Sequence, residues 1–182
     1  MSGAPGPDAG SARLERVLDP SFLLDLENRP IEDVRRRRDE ALAEREFQSF
    51  LRRLVQVRQD ILKAERERRT TGEDQQPLIE RLTAVLSEGP KGTGRGEALR
   101  NRLTEEDMAE AEQRADDAVA GVNLSAPDSV DDESLRRAIA GLEDAERLIS
   151  SARTAVIKVH DRLQDELKRR YREDPSLVLR GS

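Results

Sequence analysis

The sequence predicts an all-α protein built on a long antiparallel pair of helices that pack as a coiled coil. Ala, Glu, Lys, Leu and Arg supply 94 of the 182 residues, a composition typical of long helices and coiled coils. Two stretches, about 30–69 and 131–172, have no internal proline and carry apolar residues at helical spacing. Aromatic residues make up only 2% of the chain, which favours a thin helical core over a large globular one.

The rest of the chain is assigned around these two helices. Residues 1–12 are rich in Gly, Pro and Ala and are expected to be a disordered tail. Residues 13–172 are then expected to form a single elongated helical domain, with 70–130 as the connector between the long helices and 173–182 as a second tail.

Short accessory helices are expected inside the connector. LIERLTAVL at 78–86 has a helical pattern, and so does the stretch from Thr104 to Val119, where Thr104 and the acids after it suit a helix N-terminus. The Gly-rich stretch GPKGTGRGE at 89–97 lacks the G-x-x-x-x-G-K-[ST] spacing of a phosphate-binding loop and follows no strand, so we interpret it as a plain loop.

The first long helix carries a broad apolar stripe. Pro30 suits its first turn, and Thr70-Thr71-Gly72 supplies its end. A coiled-coil seam in 3-4 steps is formed by Phe47, Phe50, Leu54, Val57 and Ile61, and it is widened by Leu51, Val55 and Leu62. A stripe of this width predicts contact with more than one neighbour.

Two surface features each have two interpretations. The apolar segment 13–27 either folds back on the long helices or docks onto a partner protein. The run Arg35-Arg36-Arg37-Arg38 is either a solvated helix face or a contact for an acidic partner.

Composition also excludes several classes of function. The net charge is −6 and basic residues are interspersed among acidic ones, which argues against direct DNA binding. No cysteine, one histidine (His160) and no metal-ligand spacing argue against an enzyme or a metal site. Because no apolar run is long enough to span a bilayer, we expect a cytoplasmic protein without membrane contact.

A repeated set of polar residues is the main functional signal. SFLRRLVQVRQD at 49–60 and SSARTAVIKVHD at 150–161 both run Ser, two residues, Arg, seven residues, Asp. The first polar ladder comprises Ser49, Arg52, Gln56 and Asp60, and the second comprises Glu146, Ser150, Arg153 and Asp161. The first ladder lies within a sector of about 80° around the helix axis and faces away from the apolar seam. The second ladder occupies a similarly narrow sector, about a quarter-turn from the apolar stripe of its helix.

These residue types suit a nucleotide. A carboxylate can accept two hydrogen bonds from the N1–H and N2–H₂ edge of guanine, and an Arg fork can bind guanine O6 and N7 or a phosphate. Ser and Gln add neutral hydrogen bonds. Two ladders on antiparallel helices suit a two-fold ligand with two guanines and two phosphates.

The ladder pattern Glu-x₃-Ser-x₂-Arg-x₃-Gln-x₃-Asp resembles the signature of RsiG, the cyclic-di-GMP-binding anti-sigma factor family of streptomycetes and related actinobacteria. RRLVQVRQDI at 52–61, LIERL with the GPKGTGRG loop, and DRLQDELKRRY at 161–171 extend the similarity over most of 31–172. Arg45 stands where the family pattern has Glu, and Ile157 stands where it has Gln.

The resemblance implies a protein that binds cyclic di-GMP between its ladders and then sequesters a sporulation or flagellar-type sigma factor. Arg45 could contact a phosphate, whereas Ile157 could only pack against a base. The alternative is a coiled-coil interaction scaffold without a nucleotide ligand, in which both ladders merely face water.

Overall fold

The computed structural model describes residues 12–72, 103–119 and 121–177. Its regular elements are helices: α1 (Ala12–Leu18), α2 (Ile31–Thr71), α3 (Glu105–Asp117) and α4 (Asp132–Glu173), with short 3-10 turns at Pro20–Leu23, Leu26–Asn28 and Pro127–Ser129. This confirms the predicted all-α fold with two long helices and an accessory helix in the connector. The predicted helix at 78–86, the loop at 89–97, residues 1–11 of the first predicted tail and residues 178–182 of the second lie outside the described residues.

The described chain forms two compact units. Unit 1 holds the described residues of 1–48 and 151–182, and unit 2 holds those of 49–150. α2 and α4 each contribute to both units. The assignment of 13–172 to a single domain stays a prediction.

Within each unit, the segments of α2 and α4 run antiparallel. In unit 1 Arg35 Nε donates to Tyr171 Oη at 3.0 Å. In unit 2 Arg52 pairs with Glu146 at 2.7 Å and Arg69 pairs with Asp132 at 2.6 Å, so residue numbers rise along α2 as they fall along α4. No helix in the described ranges is long and apolar enough to cross a bilayer.

The helix ends follow local sequence chemistry. The Pro30 carbonyl accepts a bond from Val34 N at 3.2 Å, and Gly72 ends α2 in the left-handed region at φ +64°, which glycine adopts without strain. Thr104 caps α3 through a reciprocal pair with Asp107, as its sequence predicts. Asp131 caps α4 by accepting a bond from Ser134 N at 2.8 Å.

In unit 2, α2 contacts both α3 and α4, as its broad stripe predicts. Arg58 donates to Asp116 of α3, while Arg52 binds Glu146 of α4. The apolar residues split accordingly: Leu51, Val55 and Leu62 are buried, whereas Leu54, Val57 and Ile61 of the predicted seam are half-buried. Phe50 of the seam is also buried, so the buried set of unit 2 includes part of the seam and the residues beside it.

The apolar segment 13–27 folds back on the long helices within unit 1, which is the first of its two interpretations. It contributes to one buried cluster made of Val17, Phe22, Leu26, Val34, Ala41, Val156, Leu163 and Leu167. Leu24 is 65% exposed and Leu18 is 38% exposed, so the segment also presents two leucines outside the cluster.

Ion pairs attach α1 to α2. Arg13 Nε donates to Glu44 at 2.7 Å, and Arg16 pairs with Glu40 one turn away. Glu44 is fully buried and also accepts a bond from Gln48 Nε2 at 2.7 Å. The guanidinium of Arg13 also lies 5.5 Å from the centre of the Phe47 ring, a cation–π distance.

The arginine run at 35–38 is engaged inside unit 1. Arg35 donates to Tyr171 and to the carbonyl of Leu177, and Arg37 donates to Asp33 and to the Phe22 carbonyl. Arg36 pairs with Asp33 and Arg38 with Asp39. The run is thus more than a solvated face, because Arg35 and Arg37 hold neighbouring segments together.

Arg170 anchors the turn that precedes α2. Its Nη1 donates to the Arg29 carbonyl at 2.7 Å, and its Nη2 donates to the carbonyls of Leu26 and Glu27. Its Nε donates to Glu166 at 2.6 Å. Hydrogen bonds from Arg169, then from Arg170, and the charges of both lower the pKa of Glu166 to about 2 despite an opposing desolvation contribution.

Because this pKa is depressed, Glu166 contributes stability above about pH 4.5 that is lost as the pH falls through about 2. Glu166→Gln is expected to remove about 1–2 kcal/mol at pH 7, less than full linkage gives because Arg169 is partly exposed and screened. Urea unfolding from pH 7 to pH 2 checks this, since the variant should lose less stability on acidification. Glu173→Gln is the matched control, because Glu173 is the second carboxylate that binds Arg169 but its side chain is 62% exposed. Its loss of stability on acidification should match that of the wild type. Parallel acid profiles for all three proteins would contradict the assignment.

Candidate ligand-binding face

One contact between the two polar ladders lies in unit 2. Arg52 of the first ladder donates from Nε to Oε1 of Glu146, of the second ladder, at 2.7 Å. The Arg52 side chain is 39% exposed and that of Glu146 is 23% exposed, so the pair remains accessible to a ligand from water. The antiparallel pairing of α2 and α4 in this unit therefore turns a cation of one ladder toward a carboxylate of the other.

Ser150 completes this contact. It lies one turn after Glu146 on α4, and its hydroxyl donates to the same Oε1 at 3.0 Å. Hydrogen bonds from Arg52, then Ser150, and the charge of Arg52 lower the pKa of the Glu146 carboxyl against a smaller opposing effect of burial. Glu146 is thus ionised at neutral pH and remains an acceptor for donor groups such as the edge of guanine.

The other members of the first ladder occupy the same helical face of unit 2. Ser49 and Gln56 are half-buried, and Asp60 is exposed. Arg53, which directly follows Arg52, is exposed and points about 100° away around the helix. The four side chains offer a hydroxyl, a guanidinium, an amide and a carboxylate in succession along α2.

The remaining predicted residues belong to unit 1. Arg45 on α2, and Arg153 and Ile157 on α4, are half-buried. The carboxylate of Asp161 is 64% exposed, and its Oδ1 lies 3.2 Å from Nδ1 of the preceding His160. The structure thus joins Arg52, Glu146 and Ser150 through hydrogen bonds to the Glu146 carboxylate, and Asp60 and Gln56 are not part of that contact.

Sequence reasoning missed two charged residues of the same face. Lys63 follows Asp60 by three positions on α2, and Glu143 precedes Glu146 by three on α4. Their Nζ and Oε1 atoms form an ion pair of 2.9 Å within unit 2. The i, i+3 spacing from each ladder was the available signal, since it keeps a residue on the same side of a helix.

Among the described residues, neither a cavity nor a metal site involves the ladders. A cavity of about 680 Å³ in unit 1 is lined by α1, the turn after it and α2, and it includes no ladder residue. Within the described ranges no group of three or more His, Asp or Glu side chains is placed to hold a metal ion.

The chain is similar to a known family over part of its length. Residues 20–86 match the family described as RsiG-like, which confirms the resemblance over that range. The match covers the whole of the first ladder and ends before the second. No curated protein and no solved structure matches the chain.

Proposed function

We propose that this protein is a cyclic-di-GMP-responsive anti-sigma factor that uses the face formed by its polar ladders. The match of residues 20–86 to the RsiG-like family supports the anti-sigma role. The observation that carries the nucleotide role is the contact of Arg52 with Glu146, one from each ladder, on an accessible face of unit 2. Such a protein acts in the cytoplasm and touches neither DNA nor membrane itself.

The ladder chemistry fits the ligand in the following way. Carboxylates of Asp60 and Glu146 accept the N1–H and N2–H₂ donors of guanine, and Arg52 binds a phosphate or the O6/N7 edge of a base. Ser49, Gln56 and Ser150 supply neutral hydrogen bonds. On α4, Arg153 and Asp161 are assigned the same roles as Arg52 and Asp60.

Ligand binding must exchange partners at the Arg52–Glu146 pair. Glu146 holds Arg52 at 2.7 Å. With the nucleotide, a phosphate or base takes one donor edge of the guanidinium, and guanine donors replace Arg52 at the carboxylate. Because a half-exposed ion pair contributes at most about 1 kcal/mol, this exchange does not prevent binding.

A ligand that bonds to α2 and α4 together favours one arrangement of the two helices over others. Each charge-assisted hydrogen bond to a buried ligand contributes about 1.5–3 kcal/mol, and several such bonds can shift a conformational equilibrium of a few kcal/mol. The sigma factor is proposed to bind the arrangement that the ligand favours. Ligand and sigma factor then strengthen each other's binding by the same factor.

The two departures from the family pattern change individual contacts. At Arg45 a cation replaces a carboxylate, which suits a phosphate and not the donor edge of guanine. Ile157 makes no hydrogen bond and packs against a base instead. Both are half-buried in unit 1.

Arg52→Ala is expected to weaken cyclic di-GMP binding by a factor of about 100 or more, because it removes the charged fork and leaves Glu146 without its cation. Isothermal titration measures this, with cyclic di-AMP as the nucleotide control. Arg53→Ala is the matched protein control, since it removes an exposed arginine from the adjacent position of the same helix. It should bind like the wild type.

Pull-down of purified sigma factors of RNA polymerase, with and without cyclic di-GMP, tests the second half of the proposal. Retention that requires the nucleotide in the wild type and is lost in Arg52→Ala supports it. If the nucleotide does not bind either with or without the sigma factor, the proposed nucleotide role is wrong. The chain would then be a helical interaction scaffold whose ladders form interhelical ion pairs.

A further inference from the structure

We propose that Lys63 and Glu143 belong to the same binding face, with Lys63 as a further ligand for a phosphate and Glu143 as the carboxylate that occupies it until the nucleotide arrives. This inference rests on the proposed function and extends it to two residues outside both ladders. The face would then bind a dianionic nucleotide through two cations of α2, Arg52 and Lys63.

Helical geometry places both residues on the ladder faces. At 100° per residue Lys63 lies within about 40° of Ser49, inside the sector of the first ladder. Glu143 lies within about 20° of Ser150, inside the sector of the second ladder. Their 2.9 Å ion pair, in the same unit as the Arg52–Glu146 pair, joins the two ladder faces a second time.

Lys63 differs from Arg58 and Arg69, two other cations of α2 in unit 2, in how it is held. Arg58 uses Nε and Nη2 on Asp116 and Nη1 on the carbonyl of Leu54. Arg69 binds Glu65, Asp132 and two backbone carbonyls. Arg58 and Arg69 are therefore committed to the fold.

The ammonium of Lys63 pairs with a single carboxylate oxygen, and the Lys63 side chain is 38% exposed. An ammonium has three N–H donors, so a phosphate oxygen can bind beside or in place of Glu143. Glu143 is itself 48% exposed and stays hydrated when it is displaced. The free-energy cost of moving Lys63 from Glu143 to a phosphate is therefore small.

The charges on the face support a role for Lys63 as a second cation that binds the ligand. Around the two interhelical ion pairs of unit 2, the face carries carboxylates at Asp60, Glu143 and Glu146 and cations at Arg52 and Lys63. Asp60 and Glu146 are matched to guanine donors in the proposed function, whereas Glu143 has no such donor assigned. With a dianionic ligand present, Glu143 repels the phosphates and competes for Lys63.

Titration of the full-length chain with cyclic di-GMP at two salt concentrations tests this inference. Lys63→Gln should weaken binding about fivefold to tenfold and reduce its salt dependence, because a partly exposed, screened cation is lost. Glu143→Gln should tighten binding about twofold to fivefold, and this gain should be smaller in the Lys63→Gln background, where only the direct repulsion of the phosphates is relieved. Asp116→Asn is the matched control, because it removes the carboxylate of another interhelical ion pair of unit 2 that lies off the ladder faces.

The outcomes distinguish a failure of this inference from a failure of the proposed function. If Lys63→Gln and Glu143→Gln keep wild-type affinity while Arg52→Ala loses binding, the inference is wrong and the proposed function stands. If the wild type itself does not bind cyclic di-GMP, both fall together. Circular dichroism of each variant shows whether its helices are intact. If Asp116→Asn changes the affinity as much as Glu143→Gln does, the effect is one of net charge and the assignment is wrong.

Discussion

Arg13→Ala is expected to lower the free energy of unfolding by about 3 kcal/mol, because it removes a cation that binds the buried carboxylate of Glu44. Glu44 has a fully buried side chain, and Arg13 Nε binds it at 2.7 Å. Gln48 also donates to Glu44 and remains in the variant, which places the loss at the lower end for a broken buried pair. Urea unfolding at pH 7, followed by circular dichroism, measures the difference.

Arg16→Ala is the matched control for this prediction. Arg16 stands three residues later on the same short helix and pairs with Glu40, but its side chain is 58% exposed. Exposed ion pairs contribute less than about 1 kcal/mol, so this variant should stay close to the wild type. Glu44→Gln adds a second check, since it removes the buried charge and should reduce the cost of Arg13→Ala. Equal losses for Arg13→Ala and Arg16→Ala would show that burial of Glu44 is not the cause.

Leu163→Ala is expected to cost about 3 kcal/mol, because it opens a cavity in the buried cluster of unit 1. Leu163 has 0% exposure and packs in the cluster that includes Val17 and Phe22 of the N-terminal segment. The loss is therefore also expected to loosen that segment, which hydrogen exchange of residues 13–29 would detect as faster exchange.

Leu148→Ala is the control for the cavity. It is the same substitution on the same helix, but Leu148 is 63% exposed. Its stability should change by less than about 0.5 kcal/mol, as is usual for surface positions. If both variants lose a similar amount of stability, the loss does not depend on burial. The replacement of leucine by alanine within the helix would then be the cause, and not a cavity.

Much of the fold follows from local sequence. The absence of internal proline and the regular apolar spacing fixed two helices that span Ile31–Thr71 and Asp132–Glu173. Caps such as Thr104 are set by side chains that bond to backbone within the same turn, so they can be inferred without tertiary contacts. The two ladders were visible for the same reason, because helical spacing alone assigns a residue to a face.

Tertiary structure decided which faces meet. That α2 buries Leu51, Val55 and Leu62 more fully than Leu54, Val57 and Ile61 depends on where α3 and α4 lie, which the spacing of α2 does not specify. Glu44 and Glu46 are both buried although the sequence of α2 is amphipathic, and an arginine from a distant segment compensates the charge of Glu44.

For the candidate face, the sequence by itself determined the residue types and their spacing along each helix, since 100° per residue is a local property. Only the tertiary structure decided that Arg52 faces Glu146 and that Lys63 and Glu143 extend the face, because the register between α2 and α4 depends on contacts between residues about 80 to 94 positions apart. Registers of this kind are set by packing and ion pairing across the helices, and neither helix encodes them alone.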